Sequence, residues 1–192
     1  MNGLSVSRKA GLFALFAGVS WMVLGIASLL ADNPERYLDA LMFAPLLFTS
    51  LAFLTLHRLQ QSAFGRFGIA AYRLSIASLV LLLVCQPVLA AGSDRLNWLA
   101  FPVAAVAWFF GFLLYGVATI KAKALPAWMG AAIAFSELFT TLLGIAFSPI
   151  SPLADHGDYS GATGHGLIWL AIGYTLWTTA ARSTPATAAG TA

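Results

Sequence analysis

One acidic residue lies inside the apolar part of the sequence, and it is the strongest candidate for chemistry. Glu137 is the only acid in the interior of a long hydrophobic segment, since Asp39 stands at the very start of its own. A charge at the centre of a bilayer costs at least about 2.5–3.5 kcal/mol, so this carboxyl requires a partner, a water-filled cavity or a neutral state. Ionisable residues at this depth typically relay protons or bind solutes. The sequence therefore marks Glu137 as a candidate proton or binding site.

Other polar and aromatic residues fall at the same depth when positions are counted from the ends of the hydrophobic segments. The residues that complete the candidate site with Glu137 are Thr141, Ser20, Thr49 and Tyr174. Further residues at this depth are Trp21, Ser50, Ser78, Trp108, Thr140 and Thr175. Together they predict a modest polar and aromatic pocket. We expect no basic residue at this depth and hence no buried salt bridge, so that any cation for Glu137 would come from solution or from a ligand.

A second group of candidate ligands lies in the longest connection, residues 148–163. It contains Asp155, His156 and Asp158, and His165 follows just beyond it, at the expected mouth of the sixth segment. Carboxylate and imidazole groups bind divalent metals, but this spacing identifies no particular metal. We predict a solvated loop, with a lid over an outward-facing cavity as the alternative.

Catalytic motifs are missing from the sequence. There is no HExxH, Walker or dinucleotide-binding glycine motif, and the fourth segment has no serine for an intramembrane serine protease. Because His57 and His165 are expected at opposite ends of the helices, they are not expected to ligate one haem. An enzyme, such as one that modifies lipids, is therefore the less favoured class, and we expect no cofactor.

The composition requires lipid around most of the chain. Of its 192 residues, 60% are hydrophobic and only 9% are charged, whereas about 25% of the residues of a soluble domain are charged. The net charge of +3 is scattered, without the basic stripe that nucleic-acid binding requires. The expected partners are the bilayer, a small-molecule ligand, and another membrane protein or a second copy of this chain.

Six hydrophobic segments are long enough to cross a membrane. About 20 apolar residues in a helix span the hydrocarbon core of about 30 Å, and a segment in lipid must satisfy its own backbone hydrogen bonds. The sequence therefore predicts an all-α polytopic bundle of six transmembrane helices in one domain, residues 1–182, followed by a disordered tail, 183–192. The predicted spans are 11–30, 38–56, 69–91, 96–120, 126–147 and 164–181.

The charges predict how this bundle is oriented. With both termini in the cytoplasm, eight of the ten basic residues fall inside and two, Arg36 and Arg95, fall outside. The inner eight are Arg8, Lys9, Arg58, Arg66, Arg73, Lys121, Lys123 and Arg182. This matches the excess of basic residues in cytoplasmic loops of membrane proteins. The alanine-rich composition and the lack of organelle signals favour a bacterial inner membrane.

The small residues predict which helix faces pack closely. Gly11, Gly18 and Gly25 are seven residues apart, so they share one face of the first helix. Small residues let helices approach each other in lipid. A similar stripe on the fifth segment includes Gly130 and Glu137, which predicts that this carboxyl points into the bundle.

These features favour two functions for a multi-pass membrane protein. The first is transport of a small solute or proton-linked transport, with Glu137 at the midplane and the outer loop as a gate. The second is a non-transporting membrane subunit, such as an assembly, sensory or substrate-capture component. In that case Glu137 would be protonated and would only join neighbouring helices by hydrogen bonds.

Overall fold

The computed structural model describes residues 3–30, 35–147 and 157–182. These residues form an all-helical bundle with no strand among them. Seven α-helices follow one another along the chain: α1 (Gly3–Leu30), α2 (Glu35–Gln60), α3 (Arg66–Ala90), α4 (Ala105–Ala122), α5 (Ala127–Ala134), α6 (Ser136–Phe147) and α7 (Gly157–Arg182). Two short helical turns, Asp94–Leu96 and Leu99–Ala104, precede α4.

Several of these helices are long and apolar enough to cross a membrane. Within the described residues there are four such spans, Val6–Leu30, Tyr37–Gln60, Arg66–Ala90 and Leu99–Ala122, and a fifth if α5 and α6 together make one bent span. The length and composition of these helices are compatible with a helical membrane protein. The predicted sixth segment, α7, is not among them, because its first half, which includes Asp158, Ser160, Thr163 and His165, is too polar.

The predicted fifth helix is broken rather than continuous. The segment 126–147 forms α5 and α6, whose axes differ by 52°. The backbone leaves the helical region at Phe135, and Ser136 Oγ donates a hydrogen bond of 2.8 Å to the carbonyl oxygen of Ile133. Because serine can bond backbone groups within its own turn, it offers the chain an alternative to the regular helix pattern. Glu137 thus lies in the first turn of a new helix.

The start of the fourth span is also interrupted. Residues Leu99–Ala104 form a wide helical turn in which Phe101 has non-helical backbone angles (φ −125°, ψ 115°), and Pro102 follows it. A proline lacks the backbone N–H that a continuous helix would use. Regular α-helix begins only at Ala105. Two of the spans predicted as continuous therefore contain irregular backbone.

The glycine stripe of α1 packs against α7, which confirms the predicted close packing. A Cβ atom at Gly11, Gly18 or Gly25 would lie within 3 Å of the backbone nitrogen of Trp177, Leu170 or Thr163, respectively. From Gly11 to Gly25 the residue number increases along α1, whereas the number of the contacted residue on α7 decreases from Trp177 to Thr163. The two helices are therefore antiparallel. The beginning of α1 and the end of α7 consequently lie at the same end of the bundle.

The outer connection differs from the prediction. Residues 157–163 belong to α7 rather than to a loop, so the expectation of a loop over all of 148–163 is wrong for its second half. Residues 148–156 and the tail 183–192, predicted to be disordered, lie outside the described residues.

Candidate functional site

Glu137 on α6 and His165 on α7 are in contact, and they form an ion pair when the histidine is protonated. The Nε2 atom of His165 lies 3.1 Å from Oε1 of Glu137. Oε1 of Glu137 accepts no hydrogen bond within the described protein. The prediction that Glu137 would have no basic partner in the bundle is therefore wrong. The residue expected at the outer mouth of the last helix lies instead two turns inside α7, because this helix begins at Gly157.

The two partners differ in their surroundings. The side chain of His165 is 3% exposed and that of Glu137 is 21% exposed. The imidazole ring lies among aromatic rings, with its centroid 4.9 Å from that of Trp21, 5.8 Å from Trp108 and 6.3 Å from Phe112. Glu137 lies in the first turn of α6, and the backbone N–H groups at the start of a helix favour negative charge nearby.

Both members of the pair line one cavity of about 380 Å³. Its walls come from six of the seven helices and from the turn before α4. The apolar and aromatic lining includes Trp21, Met42, Leu46, Leu82, Phe101, Val106, Trp108 and Phe109, and the polar lining is Gln86, Glu137, Thr140, Thr141 and His165. A mostly apolar cleft with a few convergent polar groups is the usual form of a small-molecule site.

Five buried polar atoms on the residues that line the cavity have no hydrogen-bond partner within the described protein. They are Gln86 Oε1, Trp108 Nε1, Glu137 Oε1, Thr140 Oγ1 and His165 Nδ1. Unsatisfied buried polar groups are uncommon and costly, and each one calls for an explanation. Because so many belong to the walls of one cavity, binding of a polar ligand or of water there is the simplest explanation.

The two backbone interruptions border the same cavity. Phe101, at the first break, and Glu137, two residues after the second, both line it. At membrane depth, irregular backbone is tolerated where it is buried in protein or lines a cavity. Helices broken near the middle of the membrane also supply the binding sites of many transporters.

The other predicted site residues are only partly brought together. Thr141 lines the cavity beside Glu137. Thr49 does not line it but accepts a hydrogen bond of 2.9 Å from Trp21 Nε1, and so holds one of its aromatic walls. Ser20 bonds to carbonyl groups of its own helix. Tyr174 is 67% exposed on the outside of the bundle.

The outer-loop residues do not assemble a metal site in the part of the chain that is described. Asp155 and His156 lie outside the described residues, and of Asp158 only the helical backbone is described. Of the four candidates, only His165 has a described side chain, and it faces Glu137. No group of three His, Cys, Asp or Glu side chains that could hold a metal ion occurs among the described residues.

Two polar residues of the cavity were missed by reasoning from sequence. His165 was placed too near the surface, although the glycines around it at 161, 164 and 166 are typical of a closely packed helix, and each abuts α6 or α1. Gln86 was not singled out because it lies near the end of an apolar segment. Its side chain is 2% exposed, and nothing in the neighbouring sequence distinguishes it.

Comparison of the chain with models of known protein families, with curated proteins and with solved structures finds no match. The site must therefore be interpreted from its own geometry.

Proposed function

We propose that this protein is a six-span membrane transporter that moves a small solute in a proton-linked manner. The observation that carries the proposal is the Glu137–His165 pair on the wall of a cavity with several unpartnered polar atoms. A carboxylate and a histidine in contact can hold or release a proton, since histidine is the side chain that ordinarily changes charge between pH 5 and 8.

The antiparallel packing of α1 and α7 supports the sixth span. Contacts extend from Gly11 against Trp177 to Gly25 against Thr163. Helix α7 therefore lies alongside most of the part of α1 that is proposed to span the membrane. The polar residues at the start of α7 do not argue against a span, because residues 160–166 are all buried in the bundle. Polar groups in membrane helices typically face the interior of the protein.

The distribution of basic residues supports a cytoplasmic location for both termini. Eight of the ten basic residues lie on the proposed inner side. In this orientation α2 runs inward and α3 runs outward, which places Met42 and Gln86 in the outer half of the membrane. The cavity would then be nearer the outer surface. A bacterial inner membrane remains our proposed location.

The same ion pair favours one alternative function. It joins α6 to α7, as expected if Glu137 only stabilises helix packing in a non-transporting subunit of an assembly, sensory or substrate-capture system. Under this alternative, the protein co-purifies in a fixed ratio with another membrane protein, and replacing the carboxyl changes stability but no flux.

Transport currents from reconstituted protein test the proposal. Proteoliposomes on a solid-supported membrane would be exposed to a panel of small ammonium compounds, neutral amides and alcohols, and carboxylates, with and without a pH difference. We expect at least one class to produce a current that Glu137→Gln abolishes. Thr178→Ala serves as the control, since Thr178 bonds only to carbonyl groups of its own helix. A wild-type current in Glu137→Gln, or no current with any class, would contradict the proposal.

A further inference from the structure

We infer that the ligand of this cavity is a small lipophilic ammonium ion, which enters from the bilayer between α4 and α6 and displaces a proton from His165. This inference rests on the proposed function and specifies its substrate class. It is argued from the types of the unpartnered atoms, the shape of the cavity, its opening and the single carboxylate.

The buried oxygen atoms of the cavity call for a ligand that donates hydrogen bonds. Oε1 of Gln86 has no hydrogen-bond partner, and Oε1 of Glu137, although it faces His165, accepts no hydrogen bond; the Gln86 side chain is 2% exposed. A protonated primary amine brings N–H donors together with a positive charge, like the ammonium of lysine. Neither lysine nor arginine is among the residues that line the cavity, so a positive ligand meets no fixed positive charge other than His165. An anionic ligand would be repelled by Glu137.

The aromatic walls suit a cation with an apolar body. The rings of Trp21 and Trp108 are 5.8 Å apart, and Phe101 and Phe109 also line the cavity. Cations are attracted to aromatic faces, most strongly to tryptophan. The volume of about 380 Å³ is near the lower end of the range of about 300–1,000 Å³ for ligand pockets, which favours a small molecule.

The opening of the cavity faces the side of the bundle. Phe101, Val106 and Phe109 line the cavity and are also 48%, 51% and 42% exposed. They lie at or just before the start of α4, a helix that packs against α3 and α5 but has few contacts with α6. Because these exposed residues are apolar and belong to membrane-spanning segments, the opening adjoins the acyl chains. A ligand that partitions into the bilayer would reach the cavity from there.

A second positive charge beside the Glu137–His165 contact would leave a net charge in a mostly apolar cavity, which favours the loss of a proton when the ligand binds. In the proposed exchange, Glu137 starts as the carboxylate and His165 as the imidazolium, so that the two charges neutralise each other. When the ammonium ion binds to Glu137, His165 releases its ring proton to solvent and becomes neutral. The charge of the site is unchanged, since one positive charge enters and one leaves. Removal of the ligand allows the proton to return.

Among the residues whose side chains are described, the other charged groups on the helices around the pair are engaged elsewhere or distant. Asp39 on α2 accepts a hydrogen bond from Tyr159 of α7, about one and a half turns before His165. On α3, Arg73 is 13 residues from Gln86, or about 20 Å along the helix axis. Lys121 is at the far end of α4, where it lies over the ring of Phe67. Glu137 and His165 are the two titratable residues among those that line the cavity.

Calorimetric titration of the purified full-length protein in lipid nanodiscs tests this inference. The probes are phenethylamine, phenethyl alcohol and phenylacetate, which share a ring and differ in charge. Titration of the amine in buffers of different ionisation enthalpy gives the number of protons released. We expect the amine to bind at least tenfold more tightly than the other two and to release between a half and one proton per molecule at a pH where His165 is charged.

Three variants separate the parts of the inference. Glu137→Gln should weaken amine binding at least tenfold, His165→Gln should bind the amine without releasing a proton, and Thr178→Ala should behave as the wild type. Thermal unfolding of each variant shows that it is folded. Equal or tighter binding of the alcohol or the carboxylate, or no amine binding, would overturn the ammonium assignment. Amine binding without proton release by the wild type would overturn the exchange.

The outcomes also distinguish this inference from the proposed function. If a neutral or anionic solute gives a Glu137-dependent current and the amine does not bind, transport stands and the ammonium assignment is overturned. If no solute class gives such a current, the proposed function fails whether or not the amine binds.

Discussion

The imidazole of His165 lies 3.1 Å from the carboxylate of Glu137, and the contact joins the polar start of α7 to the start of α6. It accounts for two features that would each be costly alone: an acid within an apolar segment, and a histidine that is 3% exposed among aromatic rings. Unpaired ionised groups are expensive to bury, whereas paired ones satisfy each other. The pair also lies on the wall of the cavity, so that its protonation and ligand binding are physically linked.

Removal of the histidine should be more damaging than neutralisation of the acid. His165→Ala leaves an unpaired carboxylate and a space among aromatic rings, whereas Glu137→Gln keeps the size and hydrogen-bonding ability of the side chain. We expect His165→Ala to lower the free energy of unfolding by about 1–3 kcal/mol, and Glu137→Gln to lower it by less. Reversible unfolding in mixed micelles measures both. A larger loss in Glu137→Gln would show that the charge of Glu137 is stabilised by something other than His165.

The contact between α1 and α7 should tolerate no added side chain. A Cβ at Gly18 would lie 2.7 Å from the backbone nitrogen of Leu170, so Gly18→Ala must push the helices apart, at a cost of about 1–3 kcal/mol. Gly65→Ala is the matched control, since no atom lies within 4 Å of its added Cβ. Thermal unfolding should distinguish the two variants. An equally small effect in both would mean that α1 and α7 are not closely packed.

Much of this architecture follows from the sequence, and the reason is physical. Long apolar segments in lipid must be helical, so the existence of α1 to α4 could be predicted, although α1 begins eight residues before the predicted span and α4 begins nine residues after it. The seven-residue spacing of Gly11, Gly18 and Gly25 predicts a packed face. The break at Phe135 could not be predicted, because no proline or glycine marks it and the bend depends on local bonding by Ser136.

The candidate site was predictable only where a rare residue type marks it. Glu137 stands out in an apolar segment, and Trp21, Trp108, Thr140 and Thr141, placed at its depth by counting, do line the cavity. Ser20 and Tyr174 lie at a suitable depth, but neither side chain faces the cavity. The depth of a residue in the membrane does not determine which side of the helix it lies on. His165 was misplaced because the polar start of α7 resembles a loop in sequence.

The hydrogen bond between Trp21 and Thr49 should stabilise the aromatic wall of the cavity. Thr49→Val keeps the shape of the side chain but removes the acceptor of the indole N–H bond of 2.9 Å. We expect a loss of about 0.5–1.5 kcal/mol in unfolding free energy. Thr55→Val is the control, because Thr55 bonds only to carbonyl groups of its own helix. A loss in Thr49→Val no greater than in Thr55→Val would contradict the role given to this bond.

Cysteine labelling in cells tests the proposed topology. In a Cys85→Ala background, single cysteines would replace Ser62, between α2 and α3, and Ala91, just after α3, both of which are exposed. We expect a membrane-impermeant maleimide to label Ala91→Cys in intact cells and Ser62→Cys only after permeabilisation. The reverse pattern would place both termini outside, and labelling of both in intact cells would show that α3 does not cross the membrane.

An exchange of the two charged partners tests the pairing most directly. Glu137→His and His165→Glu each place two like groups in contact, whereas the double variant restores one acid and one histidine. We predict that each single variant lowers the unfolding midpoint in lipid nanodiscs and that the double variant recovers at least half of the larger loss. A double variant at least as destabilised as the sum of the two single variants would contradict the account, because the residues would then not act as a pair.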